Sequence, residues 1–283
     1  MNHRNSLLIS CLPFLMFCLP VHGEEPLDTG QVEKVVVTAH REEIPEDQVG
    51  SSVTVISSED LEKSGKTMVL DALRSVPGLE VARSGGPGGT ASVFLRGANA
   101  EHTLVLVDGV EVNDPVAPTR AYDFSGLAVN NIDRIEILRG PQSTLYGSDA
   151  LGGVIHIMTR RAGGGTAGHF SVEGGSFSTM RETAGIRGGG DRSWYAVSVS
   201  HLDTDGISAA DQADGNGEED AYTSRSLSGR FGYRATEKLT LDLMVTGLRT
   251  DTDLDNFGGA FGDDPNSVGR SEQLTVRAQG VST

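Results

Sequence analysis

The 283 residues carry 23 Lys and Arg against 39 Asp and Glu, a net charge of −16. So acidic a chain argues against nucleic-acid binding, which depends on neutralising phosphates with cationic side chains. Both cysteines, Cys11 and Cys18, lie in an N-terminal segment that reads as a secretory signal, so the mature chain has no disulfide, thiolate chemistry or cysteine-ligated metal.

Residues 1–23 begin with His3 and Arg4, continue through an apolar run from Leu7 to Leu19, and offer Val21-His22-Gly23 before a cut at Glu24. The run is shorter than the ~20 residues of a membrane span, and Pro13 and Pro20 interrupt it. Neither cysteine sits behind a small-residue lipobox. No later segment is apolar enough for a transmembrane helix, which leaves a closed β-barrel as the one way to span a bilayer. Residues 24–48 are polar and acidic with two prolines, the composition of a flexible arm. One island interrupts it: Glu33, Lys34, Val35, Val36, Val37, Thr38 and Ala39. An exposed β-branched run can add a strand to a partner's sheet edge. On residues alone it serves equally well as the first strand of the domain that follows.

That domain starts near Ser51. Val53, Val55 and Ile56 predict a strand, and Ser57 to Asp60 a capped helix start. Met68, Val69, Ala72, Leu73 and Val76 fall on one helical face, which Pro77-Gly78 stops. A strand is expected at Val93 to Gly97, then two more around Asp108-Gly109, a two-residue hairpin signal. From Arg134 to Arg161 the pattern is strand (Ile135, Ile137), Arg-Gly-Pro turn, short helical segment and strand (Val154, Ile155, Ile157). About 110 residues of this mixed kind suffice for one core. The cluster Gly85, Gly86, Pro87, Gly88 and Gly89 lacks the Lys-Ser/Thr of a phosphate-binding loop, and a turn is its bland reading. Ser148-Asp149 and the scattered histidines form no G-x-S-x-G nucleophile motif, so no enzyme is expected.

After Gly165 the pattern becomes alternation. Leu227, Phe231 and Tyr233 oppose Ser228, Arg230 and Arg234; Leu239, Leu241, Leu243 and Val245 oppose Thr240, Asp242 and Thr246; Tyr195, Val197 and Val199 oppose Ala196, Ser198 and Ser200. Weaker runs occur near 168–174, 181–187 and 272–280. One lipid face and one wet face explain this, although a soluble β-sandwich alternates too. The connections 188–191 and 235–238 are tight, whereas 203–225 and 250–271 are long and acidic, and the two kinds fall at opposite strand ends.

The wording RGP-x-S-x-LYG-x-x-A-x-GGV-I-x-I, preceded in order by LRxxPGLxV, FLRG and VLVDGV, resembles the plug domain of TonB-dependent outer-membrane receptors. FLRGANAEHTLVLVDGVEVN and YGSDALGGVIHI are most similar to the cobalamin-transporter type. The resemblance implies an α+β plug domain followed by antiparallel transmembrane β-barrel strands. It divides the chain into signal peptide (1–23), arm (24–48), plug (49–163) and barrel start (164–283). Residues 33–39 become the TonB box, which binds TonB and through it ExbB and ExbD. Gly85 to Gly89 become a ligand-facing loop for cobalamin or a siderophore, and the wall strands face outer-membrane lipid. Transporters of this type hold calcium in two barrel loops, which points to Asp220, Asp251, Asp253 and Asp255; a solvated acidic surface is the other reading. About six candidate strands stand against the about twenty-two of such a barrel, so a truncated chain is expected. A receptor that senses without importing, and a secreted acidic β-rich binding protein, are the rival functions.

Overall fold

The computed structural model of the chain describes residues 35–36, 44–45, 52–117, 119–160, 165–207, 219–253 and 267–282. All belong to one unit, Lys34–Thr283. A short antiparallel pair, β1 (Val35–Val36) with β2 (Ile44–Pro45), precedes everything else.

The mixed domain follows with β3 (Ser52–Ser57), α1 (Ser58–Ser64), α2 (Val69–Leu73), β4 (Leu79–Arg83), β5 (Ala91–Leu95), β6 (Thr103–Val107), β7 (Val110–Glu111), β8 (Ile132–Arg139), α3 (Ser143–Tyr146) and β9 (Gly153–Thr159). Five strands form one sheet in the order β3-β8-β9-β6-β7, and β4 pairs with β5 apart from it. β9 runs parallel to β6 and antiparallel to β8. Every residue of β6 and of β9 is buried. A strand covered on both faces needs a near-continuous apolar run, which TLVLV and GVIHIMT supply.

Local chemistry sets the ends of the elements. The Ser57 hydroxyl accepts from the Asp60 N–H while the Asp60 carboxylate accepts from the Ser57 N–H, a complete capping box that starts α1. Helix α2 is shorter than the apolar face Met68–Val76 predicts. The residues after Leu73 tighten into bonds from Ser75 to Ala72 and from Val76 to Leu73. Pro77 disfavours the helical region for the residue before it, yet Val76 remains buried. Asp108 and Gly109 both take positive φ, 46° and 82°, as a two-residue turn between β6 and β7 demands.

The second sheet is a six-stranded antiparallel meander: β10 (Ala167–Gly174), β11 (Met180–Gly189), β12 (Ser193–Thr204), β13 (Tyr222–Arg234), β14 (Leu239–Asp253) and β15 (Val268–Ser282). One face exposes large apolar side chains, among them Phe170, Leu227, Phe231, Leu243 and Leu274. The other buries Ala196, Ser198, Ser224, Arg230, Met244 and Thr250 against the mixed domain. Among the described residues the sheet is open, with β10 and β15 each paired on one side. The tight connections lie at one end and the longer ones at the other. The strands also run further than alternation predicts. Asp203 and Thr204 belong to β12, and Thr250 to Asp253 belong to β14. Cross-strand partners explain the extension, since Asp251 pairs with Thr223 and Arg270, and Asp253 with Val268. No described helix is long and apolar enough to cross a membrane, which says nothing of crossing by strands.

The main core gathers Leu70, Leu73, Leu95, Phe124, Ile135, Ile137 and Ile155 of the mixed domain. Met244, fully buried, enters this cluster from the wall.

Candidate functional site

The seam between the mixed domain and the inward wall face carries most of the charged chemistry that is buried. At its centre lies Asp108, in the tight turn after β6. Its carboxylate accepts from the Thr159 N–H at 3.0 Å and from the Thr159 hydroxyl, which holds the end of β9. It also pairs with Arg230 of β13 at 3.1 Å, and both side chains are nearly inaccessible. Arg230 grips Asp242 of β14 with two further bonds at 3.1 and 3.2 Å. The Asp108 carbonyl accepts from Arg277 of β15. From the turn between β6 and β7, Asp108 thus ties β9 to β13 and β15 of the wall, and Arg230 carries the link on to β14. Buried guanidinium–carboxylate pairs of this kind are tolerable because each charge finds several donors or acceptors.

Smaller contacts extend the seam. Asn130 donates to the Thr183 hydroxyl at 3.0 Å and Asn131 to the Ser228 hydroxyl at 2.7 Å. At Gly126 the backbone comes so near the wall that a Cβ would sit 2.9 Å from Leu248. Inside the mixed domain, Glu136 is fully buried and accepts from Arg134 at 2.8 Å. His156, its cross-strand partner, is held near pKa 4 chiefly by burial, with Arg134 and Arg277 also opposing its proton and Glu136 and Asp108 favouring it. It is neutral at neutral pH. Burial likewise pushes the Tyr122 phenol well above its usual range.

Within the predicted segment Arg134–Arg161, residues 134–160 are described and adopt the predicted strand, turn, short helix and strand. Arg139 of its Arg-Gly-Pro turn donates to the Pro77 carbonyl at 2.7 Å and to the Thr54 hydroxyl at 2.8 Å, tying β3 and the α2–β4 connection together. Gly153 takes φ +151°, and an added Cβ there would strike the Leu138 carbonyl.

Gly85, Gly86, Pro87, Gly88 and Gly89 form the β4–β5 loop, closed by bonds from Ser84 to Thr90 and from Gly89 to Gly86. The loop lies at the end of the wall where the longer connections gather. A Cβ on Gly88 would overlap the Tyr222 ring and lie 2.5 Å from the Thr252 hydroxyl. Of the arm residues, Val35 and Val36 form β1, whereas Glu33, Lys34, Val37, Thr38 and Ala39 lie outside the described residues. Of the four predicted calcium ligands, the three that are described, Asp220, Asp251 and Asp253, form no cluster. Asp220 is buried, just before the start of β13. Asp251 alternates with buried Thr250 and Thr252, and Arg270 and Arg249 engage it at 2.6 and 3.3 Å. Asp253 shares its face, and Asp255 lies outside the described residues. Among the described residues no three His, Cys, Asp or Glu side chains are grouped to hold a metal. Sequence reading missed Asp108 as a clasp and missed Arg230 as its partner. The one signal available was an arginine among serines and glycines on the inward face of β13.

A mixed sheet packed inside an antiparallel meander whose outer face is apolar is the architecture of a plugged outer-membrane receptor. Residues 45–154 match the TonB-dependent receptor plug domain, and the six-stranded antiparallel sheet that follows resembles the wall of TonB-dependent receptors. It is 33% identical over 253 residues, 87% of its length, to the vitamin B12 transporter BtuB of Vibrio vulnificus, of which it covers 39%. The siderophore receptor PirA of Acinetobacter baumannii matches 71% of the chain at 27% identity with a TM-score of 0.58, over 32% of its own length. The ferripyoverdine receptor of the outer membrane of Pseudomonas aeruginosa shares the fold, with a TM-score of 0.66 at 17% identity over 87% of this chain and 33% of its own. The chain therefore spans well under half the length of the relatives it matches.

Proposed function

We propose that this chain acts within a TonB-dependent outer-membrane receptor that takes up a scarce ligand, cobalamin or an iron chelate, using energy delivered through TonB. The plug match over residues 45–154, coupled to a wall whose two faces differ in polarity, carries this reading. The vitamin B12 transporter relative and the siderophore receptors support the two ligand classes. In this reading residues 1–23 are a cleaved export signal, 24–48 an arm, 49–163 the plug and 164–283 wall strands in outer-membrane lipid. Residues 33–39 are the TonB box, with ExbB and ExbD acting through TonB, and Gly85 to Gly89 meet ligand. The work is transport rather than catalysis. Ligand must favour one plug state over another if binding is to be reported to the arm.

Deleting residues 33–39 from the receptor in cells is the direct test. Energised uptake of labelled cobalamin or ferric siderophore should vanish while binding to the cells persists. Retained uptake rules out the TonB box assignment.

A further inference from the structure

A chamber of about 290 Å³ lies beneath the glycine-rich loop, between Pro87-Gly88 and the inward faces of β11 to β13. Three polar side chains that line it are poorly committed elsewhere. Arg83, at the end of β4, has a buried Nε without a partner. Tyr222, the first residue of β13, is 2% exposed and its hydroxyl has no hydrogen-bond partner. The Ser224 side chain lies close enough to influence the phenol without giving it a well-formed bond. Arg181 of β11 is 8% exposed, and its contacts are weak: the Thr67 carbonyl at 3.4 Å, the Met68 sulfur at 3.8 and 3.9 Å, and Glu173 at 3.9 Å.

Two carboxylates act on Arg181 from a distance: Glu173 at 3.9 Å, and Asp71, the one carboxylate among the described residues that line the chamber, which is itself 3.9 Å from Arg74. Asp123, near the Tyr222 phenol, is occupied by the N–H groups of Ala91 and Ser125, each at 2.9 Å. Buried donors almost always find acceptors, and two guanidiniums beside a phenol define what that acceptor must be. It carries oxygen and negative charge. A cation is repelled, and an apolar group would leave three donors unmet.

We propose that this chamber binds an anionic oxygen group, a carboxylate or phosphate carried by a small molecule, with Arg83 and Arg181 as charged donors and Tyr222 as a hydroxyl donor. Arg181 and Tyr222 belong to the inward face of the sheet, so a lipid headgroup at the apolar outer face is on the wrong side to reach them. Gly88 gives the loop its close approach to Tyr222, so an occupant of the chamber also touches the loop's underside. The charge and shape of the site thus add a substrate class to the transport reading without depending on it.

The test is calorimetric titration of the full chain, folded in detergent micelles, with inorganic phosphate and separately with citrate. Saturable binding at one site is expected for at least one of them. Arg83→Gln and Arg181→Gln should each weaken it at least ~tenfold, and Tyr222→Phe about threefold. Lys66→Gln, a cation outside the chamber, should leave it unchanged. Because Arg181 is buried, its loss can unsettle the wall; Arg83→Lys, which keeps the charge and loses the fork, should retain part of the affinity and gives a reading independent of folding. Absent binding, binding indifferent to Arg83→Gln and Arg181→Gln, or an equal loss in Lys66→Gln overturns the proposal. A preference for phosphate or for citrate supports it and names the oxygen group. Loss of anion binding and loss of uptake are read separately, so failure of one leaves the other standing.

Discussion

Strands β9 and β14 belong to one chain and follow opposite rules. β9 is buried at all seven of its residues, with sheet neighbours on both sides and packing on both faces. β14 alternates, with Leu239, Leu241 and Leu243 exposed while Met244, Thr250 and Thr252 are buried. Their sequences already differ, GVIHIMT being nearly continuous in apolar residues while LTLDLMVTGLRTDTD intersperses them with Thr, Asp and Arg. The difference follows coverage: protein on two sides for one, protein on a single side for the other. The polar surface of the wall is therefore its inside, and Arg230 sits there with the carboxylate of Asp108 to receive it.

Breaking the join between the two regions should have the largest effect. Asp108→Ala leaves Arg230 buried without its plug partner, and the full chain in micelles should lose about 3–5 kcal/mol in denaturant titrations. The Asp108→Ala, Arg230→Met double variant should lose less than the two single losses added together. A loss under about 1 kcal/mol for Asp108→Ala would reduce the clasp to the worth of a surface pair. Next comes the lipid-facing rule. Leu243→Arg should disfavour insertion into lipid vesicles by about 2–4 kcal/mol, and unchanged insertion would remove the outer face from the membrane.

The buried histidine tests the covered sheet. His156 titrates near 4 in the fold against an ordinary 6.5, so the unfolded chain takes up its proton first. Its stabilising contribution is complete above pH 6.5 and is lost as pH falls from there toward 4. His156→Asn should flatten the stability profile across that window, and an unaltered slope would mean other groups set it. The smallest effect belongs to the helix cap, where Ser57→Ala should cost about 1 kcal/mol, read as a shift in denaturation midpoint.

Much of this was legible in the residues because the signals are local. Asp108-Gly109 announces its turn, Ser57 and Asp60 their cap, and Leu227, Phe231 and Tyr233 the outward face of β13. What stayed hidden is long-range. Nothing near Val105 announces that β6 will lie parallel to β9, because that pairing is set by the strands between them. The acidic run around Asp251 reads as loop, whereas cross-strand partners carry β14 through it. Asp108 shows the limit best. Its turn follows from its own neighbours, but its bond to Arg230 joins residues 122 apart in the chain.

The order β3-β8-β9-β6-β7 also carries a consequence in time. Each wall strand pairs with the next in sequence, so every hairpin of the meander can close as soon as its second strand exists. Strand β3 has no such neighbour: the Arg139 guanidinium reaches the Val53 carbonyl across 86 residues. Loop closure over that distance comes before any reward from pairing, which makes the plug sheet the slow step and the wall the fast one. A chain leaving its site of synthesis carries β3 unpaired until β8 has emerged, and that strand's open edge is what must be kept from finding another partner first.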